Sequence, residues 1–156
     1  MNWDAIGAVA EILGAGAVFL SLLYLAIQTR QNTRALRSAA FHQVRDSFSQ
    51  VSLAMMHDPE MVSINRRIFA EDPNLTEDEL SRFRLLLTSF LRRGESAYFQ
   101  SSDGALQSES WPGIRDTILL PLSSQIGREW WVTAKNRFTK EYAEEITRAL
   151  GETEST

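Results

Sequence analysis

The stretch Ala5-Ile6-Gly7-Ala8-Val9-Ala10-Glu11-Ile12-Leu13-Gly14-Ala15-Gly16-Ala17-Val18-Phe19-Leu20-Ser21-Leu22-Leu23-Tyr24-Leu25-Ala26-Ile27 decides the fold. It carries one ionisable acid, Glu11, and is followed at once by Gln28-Thr29-Arg30-Gln31-Asn32-Thr33-Arg34-Ala35-Leu36-Arg37. At about 1.5 Å per residue a helix of this length covers roughly 34 Å, enough for a hydrocarbon core of about 30 Å. Every Lys and Arg lies after the run, beginning with Arg30, Arg34 and Arg37. Basic side chains are retained on the cytoplasmic side, so the expected topology is an outside N-terminus with everything after Gln28 in the cytoplasm. A cleaved signal has its basic segment before a shorter apolar stretch, so the run reads as a retained anchor. Trp3, near the outer end, joins Arg30, Arg34 and Arg37 as the expected membrane-surface residues, and Tyr24 lies near the inner end.

Working outward, nothing stops this helix at Gln28. No Pro or Gly occurs between Ala17 and Met56, and Leu36, Ala40, Val44, Phe48, Val51 and Met55 recur at spacings of three and four, one face of a continuing helix. Pro59 excludes helical backbone at the residue before it, so the helix should end near His57-Asp58. A short helix over about Pro59–Phe69 follows, then a turn through Glu71-Asp72-Pro73-Asn74. Thr76-Glu77-Asp78-Glu79 is a capping box, and Leu80, Phe83, Leu87, Phe90, Ala97 and Tyr98 continue a core helix to about Gln100. Ser101-Ser102-Asp103-Gly104 reads as a loop. A helix from Trp111 or Pro112 to Leu119, a break at Pro121, a helix holding Trp130 and Trp131, and a last helix over about Lys140–Leu150 complete an all-α chain. The expected organisation is an extracytoplasmic N-terminus (1–4), a transmembrane helix (5–27), a juxtamembrane helix (28–57), a small cytoplasmic helical bundle (58–150) and a flexible tail (151–156).

The 156 residues suit one modest soluble core beside the anchor, and mean hydropathy of −0.21 leaves no room for further spans. A net charge of −4 argues against nucleic acid, whose binding draws on clustered Lys and Arg. There is no cysteine, which removes disulfides, thiolate metal sites and thiol catalysis together.

Within the span, Gly7, Ala10, Gly14, Ala17 and Ser21 are spaced three, four, three and four. In lipid, helices associate through close backbone approach, and small residues permit it, so Gly7, Ala10, Gly14 and Ala17 are the expected packing face of a parallel homo-oligomer. Glu11 lies beside that stripe. A carboxylate facing lipid costs at least a few kcal/mol, so it belongs in a bundle interior or near water. With Ser21, Gln28 and Asn32 on the same third of the helix, Glu11 would form one ring of a pathway for cations or protons. The competing placement starts the span at Ile12, about 24 Å of helix to Ile27, and leaves Glu11 at the outer headgroups.

Beyond the span, His42 and His57 are the sole histidines, and only Asp46 stands at ligand spacing from His42, too few for a metal site. No nucleophile elbow, glycine-rich phosphate loop or other catalytic motif is present, and Glu77, Asp78 and Glu79 read as helix-start acids. No catalytic, cofactor-binding or metal residue is expected. Arg66-Arg67 and Arg92-Arg93 read as solvated faces. Adjacent Trp130 and Trp131 point about 100° apart, so one ring can fill the core while the other covers a neighbouring helix, a partner or a headgroup, and core packing is expected for at least one of them.

The residues Ala5–Ala15, Tyr24–Leu36, and Gly127 with Trp130, Trp131, Phe138 and Tyr142 resemble a widespread group of small bacterial membrane proteins of unknown function. The resemblance is close over the N-terminal third and loose over the C-terminal third. It implies a bacterial inner-membrane protein with a helical cytoplasmic domain in which Glu11 and the Gln-Asn-Arg segment belong to the shared pattern, and it implies no activity. The function expected from the residues is a homo-oligomeric single-pass protein with an ion or proton pathway along its axis. The alternative is a membrane-anchored scaffold or regulatory module without a pore.

Overall fold

The computed structural model describes residues 3–72 and 74–153, with the side chains of 3–6, 8–10, 12 and 153 outside the description. The protein is all-α: α1 (Trp3–Met56), α2 (Pro59–Phe69), α3 (Glu77–Ser102), α4 (Trp111–Leu122), α5 (Gln125–Ala134) and α6 (Lys140–Thr153), with 3₁₀ turns at Ser108–Ser110 and Lys135–Arg137. Among the described residues there is no strand. The chain divides into a unit up to Ala39 and a compact unit from Ala40 onward. The last turns of α1 therefore belong with the helical bundle.

In the second unit α2 and α3 begin and end for local chemical reasons. The Asp58 carboxylate accepts from the Glu60 and Met61 amides at 3.0 and 3.2 Å, and Pro59, which has no N–H to lose, occupies the first turn of α2. α2 ends in a Schellman arrangement: Glu71 takes φ 52°, its N–H reaches Ile68 O, and the Asp72 N–H reaches Arg67 O. The capping box of α3 is present as expected, with Thr76 Oγ1 accepting from the Glu79 amide and the Glu79 carboxylate accepting from the Thr76 amide. α3 runs two residues past the expected end, and Gly104 at φ 71° closes it in the left-handed region.

The core of this unit gathers Ile64 and Ile68 of α2, Phe83, Leu87 and Leu91 of α3, Ile118 and Leu122 of α4, Trp130, Trp131 and Ala134 of α5, and Tyr142 and Ile146 of α6, with Phe138 just before it. These positions follow a three-to-four spacing on each helix, so one face of each is withdrawn from water. Val44 and Val51 of α1 are also buried, as the apolar periodicity of that segment predicts, whereas Leu36 is exposed. Rings link four elements: Tyr98 meets Trp111 at 5.2 Å and Tyr142 at 5.8 Å between centroids, and Phe138 meets Tyr142 at 6.0 Å and Trp131 at 5.5 Å.

Three expectations need correction. α4 does not break at Pro121 but continues to Leu122. Proline this near a helix end removes one bond, to Thr117 O, and Thr117 is exposed where water can replace it. Trp130 and Trp131, of which at least one is expected in the core, are both there, at 7 % and 3 % exposure, because α5 packs between two neighbours and Trp131 Nε1 finds Thr147 Oγ1 at 3.1 Å. Arg67, Arg92 and Arg93 are not merely solvated: Arg67 bonds Asp72, Glu79 and Asn74 O; Arg93 Nε donates to Ser47 O at 2.9 Å; and Arg92 caps the Phe138 ring at 4.8 Å. Gly151 lies within α6, which runs to Thr153, while the rest of the expected tail lies outside the described residues.

Candidate functional site

Two places in the chain have chemistry that folding alone does not require. The first is the apolar part of α1. It contains the one segment among the described residues long and apolar enough to cross a membrane, with a window of mean hydropathy 1.4 of which 0 % is buried. Leu13, Phe19 and Leu20 are 65–68 % exposed, and a Cβ added at Gly7, Gly14 or Gly16 would meet nothing within 4 Å. No packing within the chain asks for these glycines or these large apolar side chains.

The expected pathway residues Glu11, Ser21, Gln28 and Asn32 are all exposed on this helix. The Ser21 hydroxyl donates to Ala17 O at 2.8 Å, and Thr29 and Thr33 likewise donate to Leu25 O and Thr29 O, so these hydroxyls spend their hydrogens within the helix and keep their lone pairs outward. Of the packing face, Gly7, Gly14 and Ala17 are exposed, and the side chain of Ala10 lies outside the described set. Arg30, Arg34 and Arg37 are exposed one turn apart, and the side chain of Trp3 is likewise outside the described set.

The second place is a buried polar cluster in the helical unit that sequence reasoning missed. Glu95, 9 % exposed, sits in the middle of the apolar face of α3. Its two oxygens accept from the Thr139 amide at 2.7 Å and from Arg92 Nη1 at 2.8 Å. The Thr139 carbonyl receives the first bond of α6, from the Ala143 amide, so Glu95 supplies the acceptor for an otherwise orphaned donor at that helix start. Burial pushes the Glu95 carboxyl up, but the bonds from Thr139 and Arg92 outweigh it and hold it below the usual range. Beside it, the Tyr142 hydroxyl is buried without a hydrogen-bond partner, and burial, with the nearby Glu95 charge, pushes the phenol well above its usual range. Gly94 makes room for that hydroxyl: a Cβ there would stand 2.4 Å from Tyr142 Oη.

A third polar group joins α4 to α6. Glu145 accepts from Trp111 Nε1 at 3.1 Å and pairs with Arg148 and, at 3.8 Å, with Arg115. All of its partners are cations or donors, so the group works as a tie between helices. His42 meets Phe41 edge-on at 6.1 Å, and no group of three metal-ligating side chains occurs among the described residues. The signals for Glu95 and Gly94 were present in the sequence. A carboxylate and a glycine stand inside an apolar helical face, at 95 and 94 between Leu91 and Tyr98.

No family model, curated protein or solved structure matches the chain.

Proposed function

We propose that the chain is a single-pass protein of the bacterial inner membrane. In this reading the apolar part of α1 spans the bilayer with its N-terminal end outside, and the helical unit lies in the cytoplasm. The carrying observation is that this segment is apolar, long enough to span, and wholly unburied within its own chain. An exposed apolar surface of that size in water favours association or insertion. Arg30, Arg34 and Arg37 directly after it support the orientation.

We further propose that the span assembles with copies of itself in parallel through Gly7, Ala10, Gly14 and Ala17. Glu11 would then face the shared axis, attracting cations or carrying protons, with Ser21, Gln28 and Asn32 continuing the polar line inward. The open space beside Gly7 and Gly14 supports this, since a neighbouring backbone can approach there at no cost to the chain's own packing. The second reading is a membrane-tethered scaffold without a pore. It is favoured by large apolar side chains standing out on the helical unit, Leu85, Leu120 and Val132 at 65–67 % exposure.

Because the sequence has no cysteine, single cysteines report topology cleanly. In intact cells, Asn2→Cys should react with a membrane-impermeant maleimide and Lys140→Cys only after permeabilisation. The reverse pattern would overturn the orientation, and labelling of both in intact cells would remove the span itself. Counting protomers per nanodisc then decides between an assembly and a monomer.

A further inference from the structure

We infer that the helical unit holds a binding site for a small neutral, bicyclic-sized apolar molecule carrying one hydrogen-bond donor, in a pocket lined by α1, α2, α3 and α4. The cavity measures about 220 Å³ and its walls include Met55 of α1, Phe69 of α2, Phe90 of α3 and Leu120 of α4. Four larger grooves on the same unit are each lined by charged side chains, among them Arg84 and Glu129, Lys140 and Glu144, Arg82 and Asp58, and Arg45 and Glu109. This pocket has no charged residue in its lining. Its polar members are Ser52, Asn65 and Thr117.

One of those three has unused hydrogen-bonding capacity. Asn65 makes no side-chain hydrogen bond among the described residues, leaving both its amide donors and its acceptor open. An apolar cavity with a few convergent polar groups is the usual form of a small-molecule site. A dry apolar cavity of about 150 Å³ takes benzene, so one of this size suits two fused rings. The absence of charge in the lining selects a neutral ligand, and the open carbonyl oxygen of the Asn65 side chain accepts from one that donates. Phe69 and Leu120, 43 % and 65 % exposed, give the site an apolar mouth.

Indole and indene test this, because they share shape and differ in one N–H. The full chain in nanodiscs, labelled at methionine methyls, would be titrated with each, with empty nanodiscs correcting the free ligand concentration. Met55 lines the pocket while Met56, 68 % exposed, does not, so a saturable shift at Met55 alone is expected. Indole should bind about fivefold more tightly than indene, the ratio one neutral hydrogen bond supplies. Asn65→Leu, close in volume, should keep indene binding and shrink the preference for indole, and Ser52→Leu should block both. Uniform, non-saturating shifts at every methionine would overturn the site, as would equal affinity for the two probes in the unsubstituted protein. Undiminished binding in a folded Ser52→Leu chain would place binding elsewhere; if that variant does not fold, the two-probe comparison and Asn65→Leu decide alone.

Discussion

Tyr142 shows how a single polar atom can be left over when a core is close-packed. Its ring bridges Tyr98, Trp111 and Phe138, yet its hydroxyl is buried against Gly94 and finds no hydrogen-bond partner among the described residues. Tyr142→Phe removes a desolvated donor without disturbing the rings, so it should leave stability unchanged or raise it by up to about 1 kcal/mol in denaturant melts. Gly94→Ala forces a methyl to 2.4 Å from that oxygen and 2.5 Å from Ile118 Cδ1, and should cost about 1–3 kcal/mol. In the double variant one of those two clashes is gone, so the loss should be smaller than the sum of the single effects; additivity would show that the hydroxyl is not what Gly94 accommodates. Glu95 makes a pH prediction. Its folded value lies below the ordinary glutamate value of about 4.3, so its charged form stabilises the fold above that pH, and the contribution is lost as pH falls through the folded value. Glu95→Gln should flatten the acid side of the stability profile below about pH 4.3, and an unchanged slope there would contradict the bond to Thr139. Asp72, lowered by Arg67, and Glu79, lowered by Thr76, add their own parts to the same limb and should remain in the variant.

At the scale of elements, ends were more legible than contacts. The capping box at Thr76 and the proline at 59 fix their helix starts by short-range chemistry, which a sequence displays directly. The continuation of α4 through Pro121 was not legible, because it depends on whether Thr117 has water nearby, and that is set by tertiary placement. The same holds for Arg93, whose bond to Ser47 O joins residues 46 positions apart. Gly127 marks a close approach of the α4 and α5 backbones. A Cβ there would meet Pro121 O at 2.4 Å and Leu122 Cα at 2.9 Å, both backbone atoms that cannot rotate aside. Gly127→Ala should therefore destabilise the helical unit by about 3 kcal/mol, whereas Gly113→Ala on α4, where nothing lies within 4 Å, should be neutral or favourable as alanine prefers helix. Equal effects in thermal melts would mean α4 and α5 do not approach as described. In α1 the matching comparison is between Gly14→Ile and Leu20→Ile. If the small stripe is the oligomer face, only the first should reduce cross-linking in membranes, because a branched side chain there holds backbones apart.

For the whole molecule, the apolar segment of α1 and the helical unit differ in what they bury. The unit from Ala40 buries its own faces around Phe83, Leu87, Trp131 and Tyr142, and that core was readable from periodicity because water selects it. The described side chains in the apolar part of α1 are unburied within the chain. Glu11 concentrates the question, since an exposed carboxylate on an apolar helix requires water, a proton or a partner. The most direct test is proton and cation flux through the full chain reconstituted in liposomes, compared with Glu11→Gln. The account predicts a flux in the unsubstituted protein that rises with protomer density. In the variant, with stoichiometry unchanged, proton flux and preference for cations over anions should fall. Assembled protein that passes no flux under any voltage or pH gradient, or an identical flux after Glu11→Gln, would contradict it and leave the tethered scaffold as the function.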